Sequence, residues 1–421
     1  MTETIFALSS GLPPAGIAVL RISGPAAGSA LVALAGKIPA PRRATLARLI
    51  DPSNGGALDQ ALLLWFPGPA SVTGEDLAEL HLHGGRAIVA AVHTVLGRID
   101  GLRAATAGEF TRRAFENGRI DLAEAEGLAD LLAAETEGQR QSALALAEGA
   151  LGRQVTIWQS ALLRISALVE ATLDFSDEGD VGKGDTYRQP LMELVEALEA
   201  MLASPPAERL KDGIRVVLAG PPNSGKSSLF NKLIDRDGAI VSAIAGTTRD
   251  RIEAPVVIAG IPLLLIDTAG LRDETNDAIE AIGIARTGEA IAVADILLWL
   301  GDSDEAPCDA LIVAAKADLG THRAGLPVSV VTGEGVESLK QVIIAHAKTL
   351  LPKSGALALN ARHRAILSEV RTELSAAHAS GDGLLTAEHL RLARAKLDRI
   401  TGKGGVEDML DTLFGAFCIG K

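Results

Sequence analysis

Gly220-Pro221-Pro222-Asn223-Ser224-Gly225-Lys226-Ser227 follows the apolar run Ile214 to Ala219 and precedes the helical pattern Ser228-Leu229-Phe230-Asn231-Lys232-Leu233. Strand, glycine-bearing turn and helix in that order are the context of a phosphate-binding loop. The glycines let successive backbone N–H groups turn toward one anion, and the helix N-terminus adds partial positive charge. Lys226 is placed to reach β- and γ-phosphates, and the Ser227 hydroxyl to bind Mg²⁺. Asn223, Ser224, Gly225 and Ser228 complete the expected phosphate cradle.

Around this loop, short apolar strands alternate with helical stretches from 213 to about 350. Leu263 to Asp267, Ile296 to Leu300, Leu311 to Ala315 and Val328 to Val331 read as strands of a parallel sheet. Val256-Val257-Ile258, Ala259-Gly260 and Ile261 to Ile266 read as a hairpin. About ten residues separate Leu300 from Leu311, which is short for a helical crossover. Asp267-Thr268-Ala269-Gly270 closes a strand, where a carboxylate can hold Mg²⁺ through water and Gly270 can donate its N–H to a γ-phosphate. Gly246-Thr247-Thr248-Arg249-Asp250 lies between, where a threonine can close over phosphate and Mg²⁺ as a switch. Lys316-Ala317-Asp318 selects guanine: a carboxylate accepts from N1–H and the 2-amino group together, and adenine offers neither there. Ser329 opens the next loop on the base side.

Outward from this domain the pattern changes twice. Residues 1 to 118 read as mixed α/β, with strands at Ile17 to Ile22, Ala61 to Phe66 and the alternating Leu77 to His83, and a helix at Ala87 to Leu96. His81 and His83 are read as strand residues that do not face one site, with structural or solvent-facing roles. Residues 119 to 212 read as helical. Leu144, Leu151, Val155, Trp158, Leu162, Ile165 and Val169 form one apolar stripe, which predicts a single helix over about 139 to 173. A second helix is expected from Tyr187 to Leu202, ended by Ser204-Pro205-Pro206. Residues 353 to 421 are helical again, with Arg362 to Ala377 and Glu388 to Ile400 at helical spacing, too little to form a core alone. The expected fold class is therefore multidomain α/β plus α: an N-terminal α/β domain (1–118), a helical domain in two parts (119–212 and 353–421) and an inserted Ras-like P-loop domain (213–352).

Bulk properties narrow the function. The 421 residues carry a net charge of −13, against a broad nucleic-acid-gripping face, so RNA contact would be local or shared with a partner. Hydrophobic residues are 48% and aromatics 3%, so the cores rest on Leu, Ile, Val and Ala. Cys308 and Cys418 are far apart, with no disulfide or zinc spacing, which fits a reducing compartment and a cytoplasmic location. The start lacks the pattern of a secretory signal, and the apolar run Ile291 to Leu300, interrupted by Asp295, is too short to span a membrane.

The middle domain resembles the translation-factor-like bacterial GTPases. The flanks narrow this: Leu20-Arg21-Ile22-Ser23-Gly24, Thr73-Gly74-Glu75-Asp76 with Glu79, His81 and His83-Gly84-Gly85, Gly108-Glu109-Phe110-Thr111-Arg112-Arg113-Ala114-Phe115, Asn117-Gly118-Arg119-Ile120-Asp121-Leu122 and the ending Phe417-Cys418-Ile419-Gly420-Lys421 resemble the MnmE/TrmE family of tRNA-modification GTPases. The match spans essentially the whole chain. Ribosome-assembly GTPases such as Era or Der lack the folate-type N-terminal domain and this ending, and an ATP-using P-loop protein conflicts with Asp318.

The resemblance implies a reaction that spacing alone does not. Members work with a flavin-dependent partner (MnmG/GidA), as a homodimer within a heterotetramer. Together they add an aminomethyl or carboxymethylaminomethyl group to carbon 5 of the wobble uridine of certain tRNAs. The one-carbon unit comes from 5-formyltetrahydrofolate or a related tetrahydrofolate. By resemblance, Arg21, Glu79, Arg119 and Lys421 sit at folate-binding positions, and members often carry Lys where this chain has Arg119. The nucleotide site extends over Ser242, Ala243, Ile244, Ala245, Gly246, Thr247 and Thr248, with Ser227 and Thr248 on Mg²⁺. Asn223, Thr247 and the carbonyls of Ser242 and Ile244 would hold K⁺. The glutamine that orients water in many Ras-like enzymes is replaced by Leu271, and Glu280 would take that task. The base-recognition segment normally begins with Asn; here it is Ala315.

Overall fold

The computed structural model describes residues 3–174, 186–235, 253–268, 288–320, 324–353, 357–403, 407–415, 417 and 419–420. In chain order the elements begin β1 (Thr4–Leu8), β2 (Ile17–Ser23), α1 (Ala27–Ala35), β3 (Thr45–Ile50), β4 (Ala57–Phe66), β5 (Leu77–His83), α2 (Arg86–Leu96), β6 (Leu102–Ala104), α3 (Glu109–Glu116) and α4 (Leu122–Ala133). There follow α5 (Glu137–Ala147), α6 (Ala150–Asp174), α7 (Arg188–Leu202), the short α8 (Glu208–Lys211), β7 (Ile214–Ala219), α9 (Lys226–Asp235), β8 (Glu253–Ile258), β9 (Ile261–Asp267), β10 (Ile296–Trp299), β11 (Leu311–Ala315) and β12 (Leu326–Val328). The last are α10 (Val336–Leu350), α11 (Ala361–Ala379), α12 (Gly383–Ile400) and α13 (Glu407–Gly415). No helix among the described residues is long and apolar enough to cross a membrane. The chain divides into two compact units, Met1–Ala129 with Asp398–Lys421, and Asp130–Leu397.

The first unit is built on a sheet of order β3-β4-β5-β2-β1-β6, antiparallel except between β1 and β6. Period-two alternation decides its faces. Leu20 and Ile22 on β2, Leu63 and Trp65 on β4, and Leu80 and Leu82 on β5 pack with Leu31 and Leu34 of α1 and Val92 and Leu96 of α2. The intervening residues Arg21, Glu79 and His81 therefore fall on the opposite face. In a second cluster of the unit, Phe414 and Leu410 of α13 pack with Leu122 and Ala125 of α4 and with Phe417. Gly108, at φ +66, starts α3 where a Cβ would lie 2.2 Å from the Phe414 carbonyl oxygen, so only glycine fits. The tail is fastened to β1's end by Ser9 Oγ, which donates to the Gly420 carbonyl at 2.7 Å.

The second unit holds helices and a sheet of order β12-β11-β10-β7-β9-β8, parallel except for β8. Leu229 and Leu233 of α9 and Leu339 and Ile343 of α10 cover one face, over Val216, Leu218 and Leu265. β8 and β9 form the expected hairpin, with Ala259 and Gly260 at φ +50 and +78, the twist-matched two-residue turn. The link from β10 to β11 contains only a 3-10 turn at Ser303–Glu305, as its length predicts. The chain returns from the sheet to the helices it left. Arg364 donates to the carbonyls of Leu202 and Ser204 at α7's C-terminal end, at 2.7 and 2.8 Å, and Arg188 donates to the carbonyl of His378 at 3.0 Å.

Two expectations are corrected. The single helix over about 139 to 173 is two, α5 and α6, parted at Glu148–Gly149. Gly149 takes φ +78, a conformation that ends a right-handed helix. Leu151, Val155, Trp158, Leu162, Ile165 and Val169 are buried as the stripe requires, but on α5 the buried residues are Ala143 and Leu146, and Leu144 is half-exposed. The strand expected over Val328 to Val331 stops at Val328. Ser329 folds the chain back: its Oγ accepts from Thr332 N, its carbonyl accepts from Gly333 N, and Val331 is left 85% exposed.

Candidate functional site

β7 delivers the chain into the phosphate loop beside two neighbours. It runs parallel to β9, with Leu218 opposite Asp267, and to β10, with Ala219 opposite Trp299. Gly220, at φ +143, passes so close to Leu300 that a Cβ would lie 2.9 Å from its carbonyl oxygen. Asn223 at φ +59 and Gly225 at φ +104 then wind the backbone into the first turn of α9. Such left-handed turns point N–H groups inward, which suits an anion. Lys226 opens α9 and is 6% exposed, with Nζ donating to the carbonyls of Gly220 and Pro221 at 3.0 and 2.9 Å. Ser227 and Ser228 follow on its exposed side.

Asp267 and Thr268 are both buried at the end of β9. Thr268 donates from Oγ1 to the Leu218 carbonyl at 2.8 Å, which fastens the end of β9 to the strand that feeds the loop. Asp267 is thereby held at the end of β9, opposite Leu218 on the strand that feeds the loop.

The base-side residues converge as well. Lys316, at φ +62, donates from Nζ to the Asn223 carbonyl at 2.7 Å, which joins this loop to the phosphate loop. Asp318 Oδ1 accepts from the fully buried Ser329 Oγ at 2.6 Å. A cleft of about 160 Å³ lies between, lined by Pro221, Pro222, Asn223, Ser224, Ala315, Lys316 and Leu319. Ser242, Ala243, Ile244, Ala245, Gly246, Thr247, Thr248, Ala269, Gly270 and Glu280 lie outside the described residues. Among the described residues, no group of three or more His, Cys, Asp or Glu side chains could hold a metal ion.

In the first unit, Arg21 and Glu79 are cross-strand partners on β2 and β5, and Arg21 Nε donates to Glu79 Oε1 at 2.9 Å. Glu79 Oε2 lies 3.2 Å from His81 Nε2. The reading that His81 and His83 cannot share a face is corrected. Residues two apart on a strand point the same way, and it is their partners that differ, since His83 Nδ1 meets Asp59 at 2.7 Å. Arg119 is exposed, and no hydrogen bond or ion pair joins it to Arg21 or Glu79. Cys418 and Lys421 lie outside the described residues.

Sequence reasoning missed the polar assembly under the Thr73–Asp76 loop. Arg113 Nη1 donates to Glu75 Oε2 at 2.9 Å, and its Nη2 to Glu109 Oε1 at 3.1 Å and to the Glu3 carbonyl at 2.8 Å. Asn117 Nδ2 donates to the Thr73 carbonyl at 2.7 Å. Gly74, at φ +80, lets the 117–119 turn approach: a Cβ there would meet Asn117 Cβ at 2.8 Å and Arg119 Cγ at 3.3 Å. The signal was the pair of arginines in Gly108 to Phe115, read as a resemblance and not as a network.

A parallel sheet with this loop, a buried lysine opening its helix and a base-side aspartate defines a phosphate-loop GTPase, here inserted into a helical domain. Residues 4–119 match the family described as GTP-binding protein TrmE N-terminus, and residues 122–418 match the MnmE helical domain. The tRNA modification GTPase MnmE of Novosphingobium aromaticivorans is 56% identical, with all of both chains covered. That of Rhizorhabdus wittichii is 58% identical, covering 100% of this chain and 97% of that one. The solved G domain of the T. maritima FeoB iron transporter is 26% identical and covers 32% of this chain and 98% of that one, with a TM-score of 0.23. The chain belongs to the tRNA modification GTPase MnmE family.

Proposed function

We propose that the GTPase cycle drives addition of an aminomethyl or carboxymethylaminomethyl group to carbon 5 of the wobble uridine of certain tRNAs, with a flavin-dependent partner of the MnmG/GidA type and a tetrahydrofolate as one-carbon donor. The observation that carries this is the Arg21–Glu79 pair, held at 2.9 Å on the face of the first sheet turned away from its core, in a chain whose second unit carries the phosphate loop. A guanidinium and a carboxylate side by side suit a flat heterocycle with a donor–acceptor edge and an acidic tail. Arg119 and Lys421 complete that site. The chain acts as a homodimer, within a heterotetramer that includes the partner.

At the phosphate loop, the backbone from Asn223 to Ser228 and the Lys226 ammonium hold the β- and γ-phosphates. Ser227 and Thr248 would hold Mg²⁺ directly and Asp267 through water; the exposed Ser227 and the fixed Asp267 fit an oxygen-seeking cation. Asn223 with Thr247, Ser242 and Ile244 would hold K⁺. The Asn223 amide makes no hydrogen bond to any described residue, so its oxygen is open to a cation. Such an ion supplies positive charge near the transferring phosphoryl group. Gly270 donates its N–H to the γ-phosphate, Glu280 positions the attacking water, and Thr268, Ala269 and the stretch Ala243, Ala245 and Gly246 close the wall. Asp318 and Ser329 read guanine, with the Lys316 stem against the base.

Mass spectrometry of nucleosides from a strain lacking the chain tests this reading. The wobble uridines should lose the substituent, and expression of the parent chain, but not Lys226→Ala, should restore it. Undiminished modification in the deletion strain overturns the proposal.

A further inference from the structure

Ser224 stands out within the phosphate loop. The residue is 8% exposed, and its Oγ is buried without a hydrogen-bond partner among the described residues. Buried hydroxyls in folded proteins nearly always have one, so this group invites a partner that comes with the ligand. Ser224 lines the cleft of about 160 Å³ together with Ala315 and Lys316. From the base side, Ala315 presents only a methyl, 3.7 Å from where a Cβ on Gly225 would stand. The lysine beside it does tie the loops, through Lys316 Nζ to the Asn223 carbonyl at 2.7 Å. The cleft is several times the roughly 30 Å³ that one water occupies in the liquid.

We propose that Ser224 is a nucleotide-retaining residue. With a guanine nucleotide seated, its hydroxyl bonds an ordered water held between the phosphate loop and the 315–318 loop. This makes a second brace beside Lys316, in the space that the short Ala315 side chain leaves open. The brace acts on retention of the nucleotide by holding its two clamping loops together.

Release of a fluorescent GDP analogue from the full chain tests this in four proteins: the parent, Ser224→Ala, Ala315→Asn and the double variant. Loss of one net hydrogen bond should speed release from Ser224→Ala about two- to tenfold. Ala315→Asn puts an amide where the water sits and should slow release. In that background Ser224→Ala should change the rate less than twofold, a non-additivity expected of groups sharing one task. Ser224→Cys keeps the size but donates weakly, so it should release as fast as the alanine variant. Unchanged release from Ser224→Ala, equal acceleration in both backgrounds, or parent-like release from Ser224→Cys each overturns the proposal. Should the asparagine variants not fold, the alanine and cysteine variants in the parent chain decide it.

Discussion

Ser329 Oγ donates to Asp318 Oδ1 across 2.6 Å, from a side chain with no solvent exposure. The bond fixes the carboxylate proposed to read guanine, so on that reading the two residues act as one recognition unit. Replacing Asp318 with Asn reverses one hydrogen-bonding direction and should shift preference toward xanthine nucleotides. Ser329→Ala removes a hydrogen bond to a charged group and should weaken GDP binding roughly tenfold without changing which base is preferred. Competition binding with guanine, xanthine and adenine nucleotides measures both, and ATP binding as tight as GTP in the parent would end the base assignment.

A pH dependence follows from Glu109. Burial pushes its carboxyl upward, but hydrogen bonds from Arg103, the Thr106 backbone N–H and Arg113 override this and hold it at about 2. A carboxylate depressed in the folded state stabilises fully above its unfolded value, about 4.3, and loses that contribution as pH falls through about 2. Glu109→Gln should therefore cost about 1–3 kcal/mol near neutrality, chiefly by leaving Arg103 and Arg113 short of a partner. The gap in melting temperature between variant and parent should narrow steadily as pH is lowered from 5 to 2.5. A gap independent of pH would show that the charge on Glu109 is immaterial.

Much of the second unit was legible because its signals are local. A strand of apolar residues runs into Gly220, a lysine opens the next helix, and Ala259-Gly260 announces its hairpin. The break at Gly149 was not legible, because glycine inside an apolar stripe is compatible with a continuous helix until tertiary packing chooses otherwise. β12 ended early for a similar reason: Val330 and Val331 have strand propensity, but the turn organised by Ser329 outweighs it. In the first unit, the apolar run Ile17 to Ile22 and the alternating Leu77 to His83 placed Arg21 and Glu79 on separate strands. That they pair depends on the β2–β5 register, a long-range property that propensity does not encode. The Arg113 assembly joins residues from three separate stretches, and no single stretch carries its pattern.

The Arg21–Glu79 pair leads to a binding prediction. Calorimetry with 5-formyltetrahydrofolate should show one site per chain, and Arg21→Ala and Glu79→Ala should each weaken it about ten- to a hundredfold, the range for hydrogen bonds to charged groups. His81→Ala should weaken it less, because His81 meets Glu79 Oε2 and so acts through that carboxylate. Both alanine variants at Arg21 and Glu79 binding like the parent would remove this face from the folate site.

The hydrolytic step supplies the last prediction. Leu271 follows the Asp267–Gly270 segment where many related enzymes have a glutamine, and an alkyl group cannot orient water. Charge in the transition state also needs a counterpart, and the described loop offers Lys226 together with the Asn223 amide, which makes no hydrogen bond to any described residue. A monovalent cation at Asn223, enclosed when two such domains meet face to face, would supply the remaining charge, and Glu280 would hold the water through a second one. GTPase activity should therefore be much higher in potassium than in sodium at equal ionic strength. Removing one electrostatic stabiliser of a transition state typically lowers turnover about a hundred- to a thousandfold, so Asn223→Ala in potassium should fall to near the sodium rate of the parent. Glu280→Ala should lower turnover while leaving GTP affinity within a fewfold of the parent, since a water-positioning group contributes little to ground-state binding. Equal rates in the two salts would refute the cation, and an unimpaired Glu280→Ala enzyme would move the water-positioning role to another group.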